Sequence, residues 1–191
     1  MILIFVPYHS SKLYALSHLF EWIDNAELPD AEVVIRCDRG ARNHNQSIKG
    51  QREFARQLAI QRKATHLLYV DADTIPPLDV LPRLLACGHS VTGALYYGRK
   101  NNAGRQKRAV AWVQGDDSQT FLVAGGVVEV DGMGLGCALL DREAFSSFSF
   151  EDWDDPSDDY PAFNALKEHG FTIWLDTTLV CKHYITESEY N

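Results

Sequence analysis

Asp71 and Asp73 are the residues of this chain best suited to chemistry, in the stretch Thr65-His66-Leu67-Leu68-Tyr69-Val70-Asp71-Ala72-Asp73-Thr74-Ile75-Pro76-Pro77. A β-prone run that stops at two carboxylates, then at two prolines, predicts a buried strand delivering acids to the edge of an open sheet. In α/β folds that edge is where ligands sit. Carboxylates one residue apart, on a turn that breaks strand alternation, can grip one hard divalent cation, and such a cation also holds phosphate oxygens. The competing expectation is that Asp71 or Asp73 caps a helix following Pro77.

The elements that must position this pair follow from periodicity and turn residues. Strands are predicted over Ile2–Val6, Glu32–Cys37, His66–Val70 and Ser90–Tyr96, with helices over Ser11–Asn25, Ile48–Ala64 and Leu78–Cys87. This βαβαβαβ order implies a mainly parallel sheet with right-handed crossovers. The second half is predicted to hold a short strand at Ala109–Val113, β-rich stretches over Phe121–Val130 and Gly136–Leu140, and a helix from Pro161 to His169. Final strands are expected over Phe171–Leu175 and Leu179–Tyr184. Between the β-rich stretches, Gly132-Met133-Gly134-Leu135-Gly136 supplies backbone freedom and close approach.

The 191 residues, 46% of them hydrophobic, suffice for one globular domain spanning 1–191, and a net charge of −8 argues against a generic polyanion binder. Met1–Val6 is too short to span a bilayer and lacks a basic leader; no other apolar run is longer, so a cytoplasmic protein is expected. Cys37, Cys87, Cys137 and Cys181 lie far apart with no CxxC pair, which suits reduced thiols and not a zinc site.

Three further features stand in order behind the acid pair: the glycine turn before a strand ending in Asp141-Arg142, the pair Asp158-Asp159 at a helix start, and His183. With the DxD they resemble the family-two glycosyltransferases, of GT-A fold, nearest to the short single-domain versions of bacteriophages and their hosts. The resemblance runs from Pro7 to about His183. It implies an α/β, Rossmann-like, mainly parallel sheet with a short antiparallel C-terminal part, and a metal-dependent, inverting transfer from a nucleotide sugar, UDP-linked, to a hydroxyl acceptor. On it, Asp71, Asp73 and His183 hold Mn²⁺ or Mg²⁺, and Asp159 is the base. Pro7, Tyr8, Asp38, Arg52, Ala72 and Arg99 join the acid pair in contacting the donor, and Gly134, Gly136 and Asp158 border the acceptor. Glu53 departs from the family's pattern, which has Asn after the arginine.

The chemistry asks for these types. Expelling a nucleoside diphosphate builds charge on the leaving phosphates, which a cation and guanidinium groups stabilise. The acceptor hydroxyl needs one carboxylate to take its proton. Each residue also has a plainer reading: Asp159 as a helix cap, His183 as a core histidine, Arg99 as a loop arginine. Two other functions remain open. A nucleotidyltransferase would want a Gly/Arg/Lys-rich loop after the first strand, where this chain has Pro7-Tyr8-His9-Ser10-Ser11; the other is a silent nucleotide-sugar-binding module. The acceptor is expected to be a saccharide or, through the cations Arg99, Lys100, Arg105, Lys107 and Arg108, hydroxymethylated phage DNA; the competing expectations for those cations are a lid over the donor diphosphate and a plain solvated loop.

Overall fold

The computed structural model describes residues 1–38, 44–98, 108–154 and 158–186. The first half runs β1 (Ile2–His9), a 3-10 segment (Ser10–Ala15), α1 (Leu16–Asn25), β2 (Ala31–Asp38), α2 (His44–Gln61), β3 (His66–Val70), β4 (Thr74–Ile75), α3 (Val80–Ala86) and β5 (Val91–Leu95). The second half runs β6 (Ala111–Trp112), α4 (Phe121–Ala124), β7 (Val127–Val130), β8 (Gly132–Met133), β9 (Cys137–Asp141), α5 (Arg142–Ser146), α6 (Asp159–Glu168), β10 (Ile173–Val180) and β11 (Lys182–His183).

Seven strands form one sheet in the order β2-β1-β3-β9-β5-β10-β7. Five of them share a direction; β9 and β7 oppose it. The fold is α/β with a mainly parallel sheet, as expected, but antiparallel β9 lies at the sheet's centre and not only in a C-terminal margin. The unbroken apolar run of β1 has the composition of a strand covered on both faces. Leu3 and Phe5 pack into the layer of Ala55, Tyr69, Phe145 and Phe163, while Ile4 and Val6 pack with Leu19, Trp22 and Leu81 on the other side.

The chain moves from β1 to β2 on one side, and β3 then adds on the other, so strand order reverses between β1 and β3. That is where an open α/β sheet leaves a crevice at its carboxyl edge. The registers show the crevice opening. β1 pairs with β2 as far as His9↔Asp38, but with β3 only as far as Phe5↔Tyr69. Pro7, which has no N–H to donate, lies past the last paired position on the β3 side.

Several bounds differ from expectation for local reasons. The first helix divides into the 3-10 segment and α1, and Lys12 sits at a kink with φ −104° and ψ 16°. Phe121–Val130 is not all β: Phe121–Ala124 is a helical turn, and Gly125 and Gly126, at φ 68° and 76°, reverse the chain into β7. β10 runs from the first of the last two predicted strands into the start of the second, with an irregular register against β5 between Asp176 and Val180. The rest of the second is β11, which crosses over to pair with β4, His183 opposite Thr74. The predicted helix over 161–169 begins earlier, so Asp159 lies in its first turn, and Gly170 at φ 86° follows its end.

Candidate active site

The DxD turn leaves β3 and is pinned by main-chain bonds on every side. The Asp71 N–H donates to the Gly136 carbonyl (2.9 Å), Thr74 N–H to the Asp71 carbonyl (2.9 Å), and Tyr184 N–H to the Asp73 carbonyl (2.7 Å). Neither acid caps the following helix; Asp79 holds that position, without a side-chain cap bond. The capping expectation therefore fails. The side chains of Asp71 and Asp73 instead face a cavity of about 180 Å³, together with Lys12, Arg52, Asp158 and Asp159. Pro7, His9, Ile48 and Ala72 complete its lining. Whole small-molecule sites are usually ~300–1,000 Å³, so the space enclosed here suits a cation and phosphate groups, not a complete nucleotide sugar.

Arg52, 2% exposed on α2, organises the acids. Its Nη2 donates to Asp71 Oδ1 (3.1 Å), its Nε to Asp158 Oδ2, and its Nη1 to the Leu135 carbonyl (3.3 Å). Burial alone would weaken its charge, but Asp158, Asp71 and Asp159 more than offset that, so the guanidinium stays charged at any working pH. Leu135 is held from its other side as well, since its N–H donates to Asp159 Oδ1 (3.0 Å). The glycine turn is thus clamped between the arginine and the second acid of the pair. Asp158 occupies the N-cap position of α6 but makes no cap bond; its carboxylate is committed to Arg52. Asp159 is not a cap either. Burial, then the neighbouring Asp158 charge, push its carboxyl up to about 7, the range a general base needs near neutral pH. Asp71 is also raised, first by burial, with Arg52 opposing.

Asp73, 3% exposed, is held differently. Its Oδ2 accepts an ion pair from Lys12, lies 3.5 Å from His183 Nε2, and has the Tyr14 hydroxyl at 3.4 Å. Burial pushes this carboxyl up, but the His183 contact and the Lys12 ammonium outweigh it and hold it well below the usual range. His183 Nδ1 is 2.8 Å from the Tyr97 carbonyl, which can only accept, so that network places the proton on Nδ1. Nε2 faces Asp73 Oδ2, beside the Lys12 ammonium that rests on the same oxygen. Hard carboxylate with imidazole is a donor set that Mn²⁺ accepts better than Mg²⁺. Asp71 is turned toward Arg52, and among the described residues no three such side chains form a preassembled metal cluster. The residues fit a divalent cation on Asp73 and His183, with Asp71 on the far side of the turn. The core-histidine expectation for His183 captures its packing edge-on to Tyr96 (5.6 Å) but not its contact with Asp73.

The other expected site residues divide. Pro7, Arg52, Ala72 and Asp158 line the cavity; Tyr8 does not, being 8% exposed in the core layer on the other face of β1. Asp38 ends β2 opposite His9, and Arg99 and residues 100–107 lie outside the described residues. Gly134 and Gly136 are needed for close approach and not for left-handed backbone, since neither has positive φ. A Cβ on Gly136 would come 2.8 Å from the Tyr96 hydroxyl and 3.1 Å from Asp71 Oδ2; one on Gly134 would press on Tyr96 Cζ (2.7 Å) and Val110 Cγ1 (2.8 Å). Glu53 faces away from the acids, accepting from Phe150 N–H (3.0 Å), Ser149 Oγ (3.1 Å) and both arms of Arg56. Its task is to hold the 149–150 segment. Sequence reasoning missed Lys12, although it directly follows Pro7-Tyr8-His9-Ser10-Ser11, a segment judged by its lack of basic residues.

No protein-family model matches the chain, and no curated protein does. Solved structures do. A197 from STIV superposes with a TM-score of 0.72 at 21% identity, over 99% of this chain and 88% of that one. GalNAc-T7, crystallised with UDP, GalNAc and Mn²⁺, gives 0.56 at 13% identity over 98% of this chain, which spans 44% of the GalNAc-T7 chain. A putative glucose-1-phosphate thymidylyltransferase from Bacillus anthracis, in complex with a sucrose, gives 0.51 at 11% identity over 92% and 89%. At such identities the likeness establishes the fold, a GT-A-like α/β arrangement, and leaves the chemistry to the site.

Proposed function

We propose that this protein is a metal-dependent, inverting glycosyltransferase that moves a sugar from a UDP-linked donor to a saccharide hydroxyl. One observation carries the reading: four carboxylates and two cations converge on a cavity at the sheet's carboxyl edge. Fully ionised, four acids against two bases leave −2, a field that repels a diphosphate unless a divalent cation comes with it. A cation on Asp73 and His183, with Asp71 opposite, would supply charge stabilisation for the leaving diphosphate. Arg52 keeps Asp71 and Asp158 apart and oriented. Asp159 takes the acceptor hydroxyl's proton, that oxygen forms its bond to the anomeric carbon, and the old bond's electron pair leaves with the nucleoside diphosphate. Asp158, bound to Arg52, is the poorer base.

A groove along α6 favours a saccharide over DNA as acceptor. It measures about 400 Å³ and presents Phe148, Trp153 and Tyr160 beside Asp152, Asn164, Glu168 and His169, with no lysine or arginine among the described residues of its lining. Aromatic faces with carboxylates and an amide suit sugar C–H faces and hydroxyls, whereas two acids oppose a phosphate backbone. The nucleotidyltransferase alternative shares the fold and the metal logic; production of pyrophosphate from a sugar 1-phosphate and a nucleoside triphosphate would establish it instead.

The test is mass spectrometry of products from a panel of nucleotide sugars and oligosaccharides, with calorimetry of UDP binding in Mn²⁺. Asp159→Asn should lower transfer by ~10²–10⁴ while UDP affinity stays within about twofold. If Asp158→Asn abolishes transfer and Asp159→Asn does not, the base is misassigned. No binding of any nucleoside diphosphate in Mn²⁺ would overturn the reading.

A further inference from the structure

The two cations of the cavity are held in unlike ways. Arg52 is fixed by three oxygens and is 2% exposed. The Lys12 ammonium is paired with Asp73 Oδ2, its side chain 19% exposed, at the kink of the 3-10 segment. That oxygen is the one beside His183 Nε2, where a divalent cation on the DxD would bind. An ammonium and a divalent ion cannot both occupy it, because two positive charges at that range repel strongly. Lysine is suited to giving way, being a point charge with rotatable donors on a flexible four-carbon stem.

We propose that Lys12 is an exchangeable cation, resting on Asp73 in the empty site and passing to the donor diphosphate when a divalent ion takes Asp73. This rests on the donor reading above. Lys12 keeps a buried carboxylate compensated before metal arrives. Once displaced, it is still a lining group of the same cavity and meets the phosphates as they enter. Lys12 therefore opposes metal binding alone and supports diphosphate binding with metal.

Those two effects have opposite signs, and a lysine needed only for folding would not produce them. In Lys12→Met, Mn²⁺ alone should bind about tenfold more tightly, read by electron paramagnetic resonance of the free ion. UDP in saturating Mn²⁺ should bind about tenfold more weakly by calorimetry. Lys12→Arg should recover part of the UDP affinity, and adding Asp73→Asn to Lys12→Met should remove the gain in Mn²⁺ affinity. Shifts of the same sign, or none, would overturn the proposal. If Mn²⁺ tightens but no nucleoside diphosphate binds either protein, the exchange at Asp73 stands and the donor reading fails. Amine labelling of the wild-type protein gives a check that needs no variant. Lys12 should react faster when Mn²⁺ is added and slow again when UDP follows; unchanged or slower labelling with Mn²⁺ alone refutes the exchange.

Discussion

Asp159→Asn should stabilise the protein, and by an amount that grows with pH. An ordinary aspartate titrates near 3.8, whereas Asp159 is pushed up to about 7 by burial and by Asp158. A carboxyl whose pKa is raised on folding holds its proton in the folded state while the unfolded chain has lost it. Stability thus falls as pH rises from about 4 to about 7, and the penalty is complete above that. Three pH units at 1.36 kcal/mol each set a ceiling of about 4 kcal/mol. The Asp159 side chain lies among buried groups but keeps an edge open to solvent, and screening there reduces this to about 2 kcal/mol. Asparagine keeps an oxygen for the Leu135 N–H and never ionises. Urea unfolding at pH 5 and pH 8.5 should show the variant's advantage widening by about 1–2 kcal/mol, a midpoint shift approaching ~1 M for a urea slope near 2 kcal/mol/M. An advantage that is flat across this range would show that Asp159 ionises normally and would remove the support that a raised pKa gives to the proposed base.

Arg52→Met removes the one buried guanidinium shared by Asp71, Asp158 and Leu135 and leaves two half-buried carboxylates without it; stability should drop by about 2–4 kcal/mol in urea unfolding, and a loss below 1 kcal/mol would mean the acids find water instead. Gly134→Ala should cost about 1–3 kcal/mol by overpacking against Tyr96 and Val110. Adding Tyr96→Phe should return part of that loss in a double-mutant cycle, and strict additivity would refute the contact.

The site was legible where local chemistry and topology agree. The acid pair after β3 could be placed because an apolar strand, a turn and two prolines specify a sheet edge, and β3 falls on His66–Val70 as expected. His183 could be ranked only through its company, since its approach to Asp73 depends on β11 pairing with β4 across the chain. Arg52 could be named but not its work: nothing local says that one guanidinium will meet Asp71, Asp158 and Leu135. Lys12 was hidden by a kink that helical periodicity cannot show, and α4 by a β-prone composition that the glycine pair at 125–126 overrode.

The placement of β9 bears on how the protein is made. β3 and β5 flank it and pair with it alone across that gap, Leu68 opposite Leu139, some 70 residues later in the chain. A nascent chain that has reached β5 can pair β1, β2 and β3, yet one edge of β3 and both edges of β5 have no neighbour. Such long-range closure is slow and leaves those edges open to other chains in the meantime. Substitutions at Ala138 or Leu139 should therefore slow refolding more than they speed unfolding. The turn leading into β9 is the one that sets Gly136 against Asp71 and Leu135 between Arg52 and Asp159. The strand that closes the sheet thus also brings Leu135 and Gly136 to the acids.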